Sequence, residues 1–190
     1  MESSNMKKFN YISGLLLSFA ALPFHMTQAQ TCIDNAPEIH AEGSLIDRND
    51  GTVLDINTGL LWSKCNVGEV YEKTDNSCSG QPSNFSTWQD ALLAVNDPTV
   101  STVGELEGFR IPNIKELQSI VDYRCISPAI NNAVFISTMN AAYWSNTPDI
   151  HNVNSISGYD GLLIDFKDGQ EIDTGASGLL LLRLVKNIVE

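Results

Sequence analysis

From Phe109 to Asn131 the apolar positions take up a helical period: Ile114, Leu117, Ile120 and Val121 form one stripe, and Lys115, Gln118, Ser119 and Asp122 fall largely on the other side. Pro112 keeps Ile111 out of helical geometry, so the helix begins after it. Asn113 is a good N-cap, and Glu116, three residues on, completes a capping box. Arg124 near the end suits the negative end of the helix dipole, and Pro128 closes the segment. A second helix follows from Ser86 and Gln89 as a capping box, with Trp88, Ala91, Leu92 and Val95 on its apolar face and Asp97-Pro98 as its stop.

Elsewhere the pattern is one of strands and turns. Ser44–Asp47 and Thr52–Ile56 flank Asn49-Asp50-Gly51, a hairpin signal, and Leu60-Leu61-Trp62 after the Thr58-Gly59 turn is a buried strand. Residues 65–84 and 97–108 are loops. Tyr143-Trp144-Ser145 is a short strand, and Asn146 to Asp160 is a long polar loop. Leu162–Phe166 and Gly178–Val185 are two more strands, with Lys167-Asp168-Gly169 turning the chain. Two short helices among several short antiparallel strands define an α+β fold, a single compact domain.

Lys7 and Lys8 precede an apolar run from Tyr11 to Met26, and Thr27-Gln28-Ala29 supplies the small residues of a cleavage site. Residues 1–29 therefore read as a signal peptide, 30–43 as an N-terminal leader and 44–187 as the folded domain. As a membrane anchor the run is short and broken by Ser13, Ser18, Pro23 and His25, so no membrane insertion is expected once it is cut. The residues before Cys32 do not resemble a lipobox. Of 190 residues, 11 are basic and 23 acidic. Removing residues 1–29 takes away Lys7, Lys8 and Glu2, leaving nine basic and 22 acidic residues and a net charge of −13. Such a surface repels phosphate backbones and anionic lipids, which excludes nucleic acid as a partner.

Cys32, Cys65, Cys78 and Cys125 are an even set in an exported chain, which reads as two disulfides with three possible pairings. Cys65 with Cys78 is the pairing chosen, because it closes the short polar loop NVGEVYEKTDNS, and Cys32 with Cys125 then ties the leader to the end of the central helix. Zinc is the alternative, but there is no CxxC, and only His40 and His151 lie outside the signal peptide. No metal and no cofactor are expected.

Six blocks in register resemble the Lcl C-terminal domain family, which takes its name from a collagen-like Legionella adhesin and was formerly a domain of unknown function. They are NDGTVLDINTGLLW (49–62), TWQDAL (87–92), FRIPNIKELQSIVDY with PAIN (109–131), AYWSN (142–146), IDFKDG (164–169) and LRLVK (182–186). The central block departs from the family pattern in having Phe109 for tryptophan and Ile111 for leucine. The resemblance implies a lectin-like or adhesin module with a C-type-lectin-like core, and a Cys65–Cys78 pair flanking a variable loop. It also implies an association with sulfated glycosaminoglycans and host attachment. The charge of −13, with nine basic residues scattered along the chain, opposes a sulfated polyanion. The sequence also has no collagen-like stalk, so neither trimerisation nor long reach carries over. A neutral glycan or a protein partner suits this surface better.

Candidate chemistry is sparse. Asp47, Asn49, Asp50, Asp55 and Asn57 crowd oxygen ligands into one hairpin, but their spacing is not that of an EF-hand, and tight turns explain them more simply than calcium does. Asp165, Asp168, Glu171 and Asp173 read as a solvated face. Arg110 is a partner for Glu116 in one reading and a capture point for an anionic ligand in the other. Arg183, inside LLLLRLV, is expected to pair with a partly buried carboxylate. Trp62, Trp88 and Trp144 read as core residues. In the alternative, Tyr143 and Trp144 floor a sugar-stacking site whose contacts from the 146–160 loop are His151 and Tyr159.

No GxSxG, HExxH or P-loop is present, and neither remaining histidine sits in a triad context. The expectation is an exported, non-catalytic binding module, in the periplasm, at the cell surface or secreted, that recognises an extracellular glycan or protein. The alternative is a structural component of a surface assembly such as a pilus. A carboxylate-based hydrolase is the third reading.

Overall fold

The structure, a computed structural model, describes residues 29–154, 158–173 and 178–188. The expected signal peptide lies outside these residues except for Ala29. Residues 52–63 build the centre. Strands β2 (Leu45–Asp47), β3 (Thr52–Asp55), β4 (Leu60–Ser63) and β12 (Val185–Asn187) form an antiparallel sheet in the order β12-β4-β3-β2. The turn between β2 and β3 needs positive φ at Asn49 (54°) and Gly51 (87°), which asparagine and glycine tolerate best. All four residues of β4 are buried. Leu60 and Trp62 enter one apolar cluster and Leu61 enters another, with Phe109 and Leu184.

The second sheet holds β8 (Ala142–Asn154), β9 (Gly158–Asp165), β10 (Gln170–Ile172) and β11 (Leu180–Leu181), in the order β10-β9-β8-β11. Its pairs are antiparallel except β11 with β8. Period-two alternation divides its side chains between two cores. Tyr143, Ile164 and Leu181 face Trp62, Leu117, Ile120 and Phe166, whereas Ala142, Trp144, Leu163 and Leu180 face Ala91 and Leu182. Helix α1 (Trp88–Ala94) covers the second face, and α2 (Ile114–Ser119) covers the first. Two small sheets complete the α+β domain: β1 (Thr31–Cys32) with β7 (Cys125–Ile126), and β5 (Glu69–Glu72) with β6 (Ser77–Gly80).

Both disulfides form as the sequence reading paired them: Cys32–Cys125, with Cα atoms 4.0 Å apart, and Cys65–Cys78, at 5.7 Å. By chain entropy the short loop contributes about 3 kcal/mol and the long one about 4.5 kcal/mol.

Five expectations are corrected. The polar stretch 146–160 is mostly strand, because β8 runs on through it, pairing Pro148 with Gly161 and Asp149 with Asp160 across two bulges. The ladder satisfies the backbone there, so side-chain polarity did not mark a loop. Residues 65–84 likewise contain the β5–β6 hairpin. Gly178–Val185 is not one strand: β11 and β12 belong to different sheets, and the chain crosses between them at Leu182–Leu184. Helix α2 ends at Ser119, since the bridge of Val121 to Ile130 draws the backbone away. Arg124 therefore lies beyond the helix, bonded to Asp122 at 2.8 Å and 3.6 Å from Glu38. The α1 cap is Thr87, one residue later than expected, and it accepts from Asp90 N–H at 3.1 Å. The α2 capping box forms as the sequence reading gave it, between Asn113 and Glu116.

Candidate functional site

Three of the five residues proposed from sequence, Tyr143, Trp144 and Arg110, are committed within the protein. Tyr143 is fully buried and donates its hydroxyl to Asn66 Oδ1 at 2.8 Å. Trp144 is 3% exposed, and its indole N–H donates to the Phe85 carbonyl at 2.9 Å. Neither offers a face to a sugar, and the core reading is the one their positions fit. Arg110 makes two 2.7 Å bonds to Glu116 and a further bond to Asn187 Oδ1, so its guanidinium is committed at the entrance to α2. His151 is exposed on β8. Tyr159 pairs its backbone with Val153, and its side chain lies outside the described residues.

The acidic hairpin is occupied by its own turns. Asp47 accepts from Asn49 N–H at 2.9 Å and from the Lys64 ammonium at 2.6 Å. Asp50 accepts from Thr52 N–H at 3.0 Å, and Asp55 accepts from Asn57 N–H at 2.9 Å and the Thr58 hydroxyl at 2.7 Å. Burial works against the charged form of Asp47, but the Lys64 and Asn49 bonds hold its carboxyl below the usual range. Cys65 and Cys78 lie beside Glu69, and both sulfurs are spent in the disulfide, so no thiolate remains for zinc.

A cleft of about 500 Å³ opens beside that disulfide, within the size range of ligand pockets. One wall is Gly68 with the first three residues of β5, Glu69 to Tyr71. The other is the loop from Thr99 to Gly104, with Leu184 among the remaining lining residues. Each wall is fixed by local chemistry. Asp97 accepts from Thr99 N–H and hydroxyl at 2.9 and 2.8 Å, its carbonyl accepts from Val100 and Ser101 N–H, and Thr102 donates to the Pro98 carbonyl. The Thr99 bonds hold the Asp97 carboxyl below its ordinary pKa. On the β5 side, Glu69 Oε2 accepts from Asn66 N–H and the Ser137 hydroxyl, each at 2.8 Å. Tyr71 lies against Gly51, where an added Cβ would meet its ring at 3.2 Å, and the Lys64 ammonium stands 5.3 Å from the ring centroid.

Behind the cleft sits Arg183, fully buried. Among the described residues no carboxylate pairs with it, contrary to expectation. It donates to the Ser63 and Lys64 carbonyls at 2.8 and 2.7 Å, to Asn66 Oδ1 at 3.3 Å and to the Thr138 hydroxyl at 3.0 Å. It also stacks 5.1 Å from the Phe135 ring centroid and 5.9 Å from that of Tyr143. Burial lowers its pKa. Carbonyl dipoles and ring faces replace a counter-ion here, an arrangement a guanidinium fork allows and an ammonium does not. The network ties β4, the 66–69 turn and Tyr143 into one support for the cleft floor.

Sequence reading missed this site because both walls lay in segments taken as loops. The signal was present in Glu69-Val70-Tyr71-Glu72, whose alternation, together with Asp75-Asn76 as a turn, marks a hairpin.

The arrangement is that of a disulfide-stapled α+β domain with a preformed cleft between β5 and the 99–104 loop. The chain belongs to the Lcl C-terminal domain family, which it matches over residues 51–186. That membership makes it a surface- and adhesin-associated domain, and the two disulfides agree with export. Among the described residues no helix is long and apolar enough to cross a membrane. No curated protein and no solved structure matched the chain.

Proposed function

We propose that this domain is a non-catalytic binding module that holds a segment of an extracellular protein partner in the cleft between β5 and the 99–104 loop. The observation that carries this reading is the state of the cleft's polar side chains. The Thr99 and Thr102 hydroxyls and one oxygen of Glu69 are already bonded within the protein, whereas Val67, Val70, Val100 and Val103 are apolar wall. A sugar site needs several uncommitted polar groups and an open aromatic face. Here the Tyr71 ring rests against Gly51 and near the Lys64 ammonium. A protein segment needs apolar contact and backbone partners, and this cleft supplies both.

A glycan is the second reading, favoured by the Ser83 hydroxyl at the cleft. The two are separated by screening the oxidised protein in parallel against a peptide-display library and a glycan array, each with Val103→Lys as the cleft-blocked control. Peptide binding lost in that variant is the expected result. Glycan binding lost in the same variant overturns the protein reading.

A further inference from the structure

We propose that the free edge of β5 takes up an extended segment of the partner protein as a third strand, and that this segment alternates apolar with basic residues. The inference rests on the protein-partner reading of the cleft. β5 and β6 form a sheet of only two strands. Such a pair is marginal alone, and each outer edge carries backbone donors and acceptors that can template another chain. The cleft is lined by Gly68, Glu69, Val70 and Tyr71, and by no residue of β6. It therefore runs along the edge of β5 that faces away from its partner.

The hydrogen-bond parity of that edge follows from one contact. The Glu69 N–H donates to the Asn66 carbonyl at 3.1 Å, on the side away from β6. In an antiparallel pair, successive residues direct their backbone groups alternately to opposite sides. Val70 and Glu72 then serve the β6 ladder, while the N–H and C=O of Tyr71 and the C=O of Glu69 are turned to the cleft. Three backbone groups at strand spacing are the recognition elements of strand addition.

The side chains agree. Val100 and Val103 stand across the cleft, and Val70 on β5 is 63% exposed, so every second residue of an incoming strand meets an apolar wall. Carboxylates border the cleft: Glu69 lines it, Glu72 ends β5 and Glu105 follows Gly104, while Asp50 in the adjoining turn is paired with Arg48 at 3.5 Å. Of the nearby cations, Lys64 is sealed from solvent and bonded to Asp47, and Arg48 is paired with Asp50. A partner carrying basic residues is thus attracted, and an acidic one is repelled. The edge is also held in advance by the Cys65–Cys78 disulfide, the Glu69 bonds and the Tyr71–Gly51 contact, which lowers the entropy lost on binding.

The test is an amide-exchange titration of the oxidised full protein with two synthetic peptides. One alternates valine and lysine over about seven residues. The other is the same peptide with every second amide N-methylated. Strand addition gives at least a roughly ten-fold slowing of Tyr71 N–H exchange at saturation and about ten-fold weaker binding of the methylated peptide, as expected for two lost hydrogen bonds. Equal binding of the two peptides, or binding that leaves Tyr71 exchange unchanged, overturns strand addition. In that case loss of binding in Val103→Lys still upholds the cleft reading. Tyr71 protection that rises with protein concentration in the absence of peptide makes the occupant a second copy of this chain and overturns the partner-segment proposal. Failure of both peptides to bind at millimolar concentration overturns it as well.

Discussion

Arg183 shows how one residue's setting decides its role. A buried guanidinium with no carboxylate partner among the described residues persists because four neutral oxygens and two ring faces surround it. Arg183→Ala leaves the Ser63 and Lys64 carbonyls short of a donor, and about 3 kcal/mol or more of stability should be lost in urea denaturation. Trp144 is tested in the same way. As a core residue 3% exposed, its change to Ala should cost about 3–5 kcal/mol and lower the population of folded protein rather than abolish one contact. At Gly68 the backbone has φ +96°, and an added Cβ would lie 2.6 Å from the Ser83 amide nitrogen. Gly68→Ala should therefore destabilise the protein by more than 1 kcal/mol and weaken cleft binding, whereas Gly108→Ala, with open space around its Cβ, bears only the backbone strain. The sequence shows each of these residue types but not its surroundings. Arg183 was legible as buried from LLLLRLV, yet its partners lie 45 to 120 positions away along the chain.

At the scale of elements, the helix starts were the most legible features and the helix ends the least. The Asn113 capping box depends on residues three apart, so it can be read locally. The end of α2 is set by the bridge from Val121 to Ile130, a tertiary contact, and helical periodicity alone carried the stripe too far. The β8–β9 arm was hidden for a similar reason: its polar residues are paired across a ladder with two bulges, which scrambles the alternation that marks a strand.

Elements also carry the acid response. Hydrogen bonds from Arg124 hold Asp122 below the usual carboxylate range although burial opposes them. Burial likewise raises Glu116, and the Arg110 and Asn113 bonds more than offset it. Because the folded pKa values are depressed, the unfolded chain takes up protons first as pH falls. The stabilisation is complete above about pH 5 and is lost as pH drops further, through the folded values. Thermal unfolding of Asp122→Asn should show lower stability than wild type at pH 7 and a difference that shrinks below about pH 5. A constant difference at every pH would remove the ion pair from the account.

For the whole molecule, the fold class and both cross-links were within reach of the sequence, because turn residues, helix caps and cysteine spacing are local signals. The cleft was not, since its two walls are about thirty residues apart and meet only after β4 places them on one side of the central sheet. The two disulfides divide the labour. Cys32–Cys125 fastens the N-terminal segment, whose Gln30 amide also reaches the Pro128 and Ile130 carbonyls at 2.6 Å. Cys65–Cys78 holds the cleft's β5 wall. Replacing Cys65 and Cys78 together by serine should reduce stability by about 3 kcal/mol and weaken cleft binding in a protein that remains folded. Replacing Cys32 and Cys125 should reduce stability by more and leave the affinity of the folded fraction unchanged.

Whether the cleft beside β5 is where this domain holds its partner can be read from hydrogen-exchange mass spectrometry. The oxidised protein would be compared with and without the tightest peptide from the display screen. Slowed exchange confined to residues 66–72 and 99–104 is the expected result. Protection centred on the β8–β9 arm or on the Arg110–Glu116 end of α2, with the cleft segments unchanged, would contradict it.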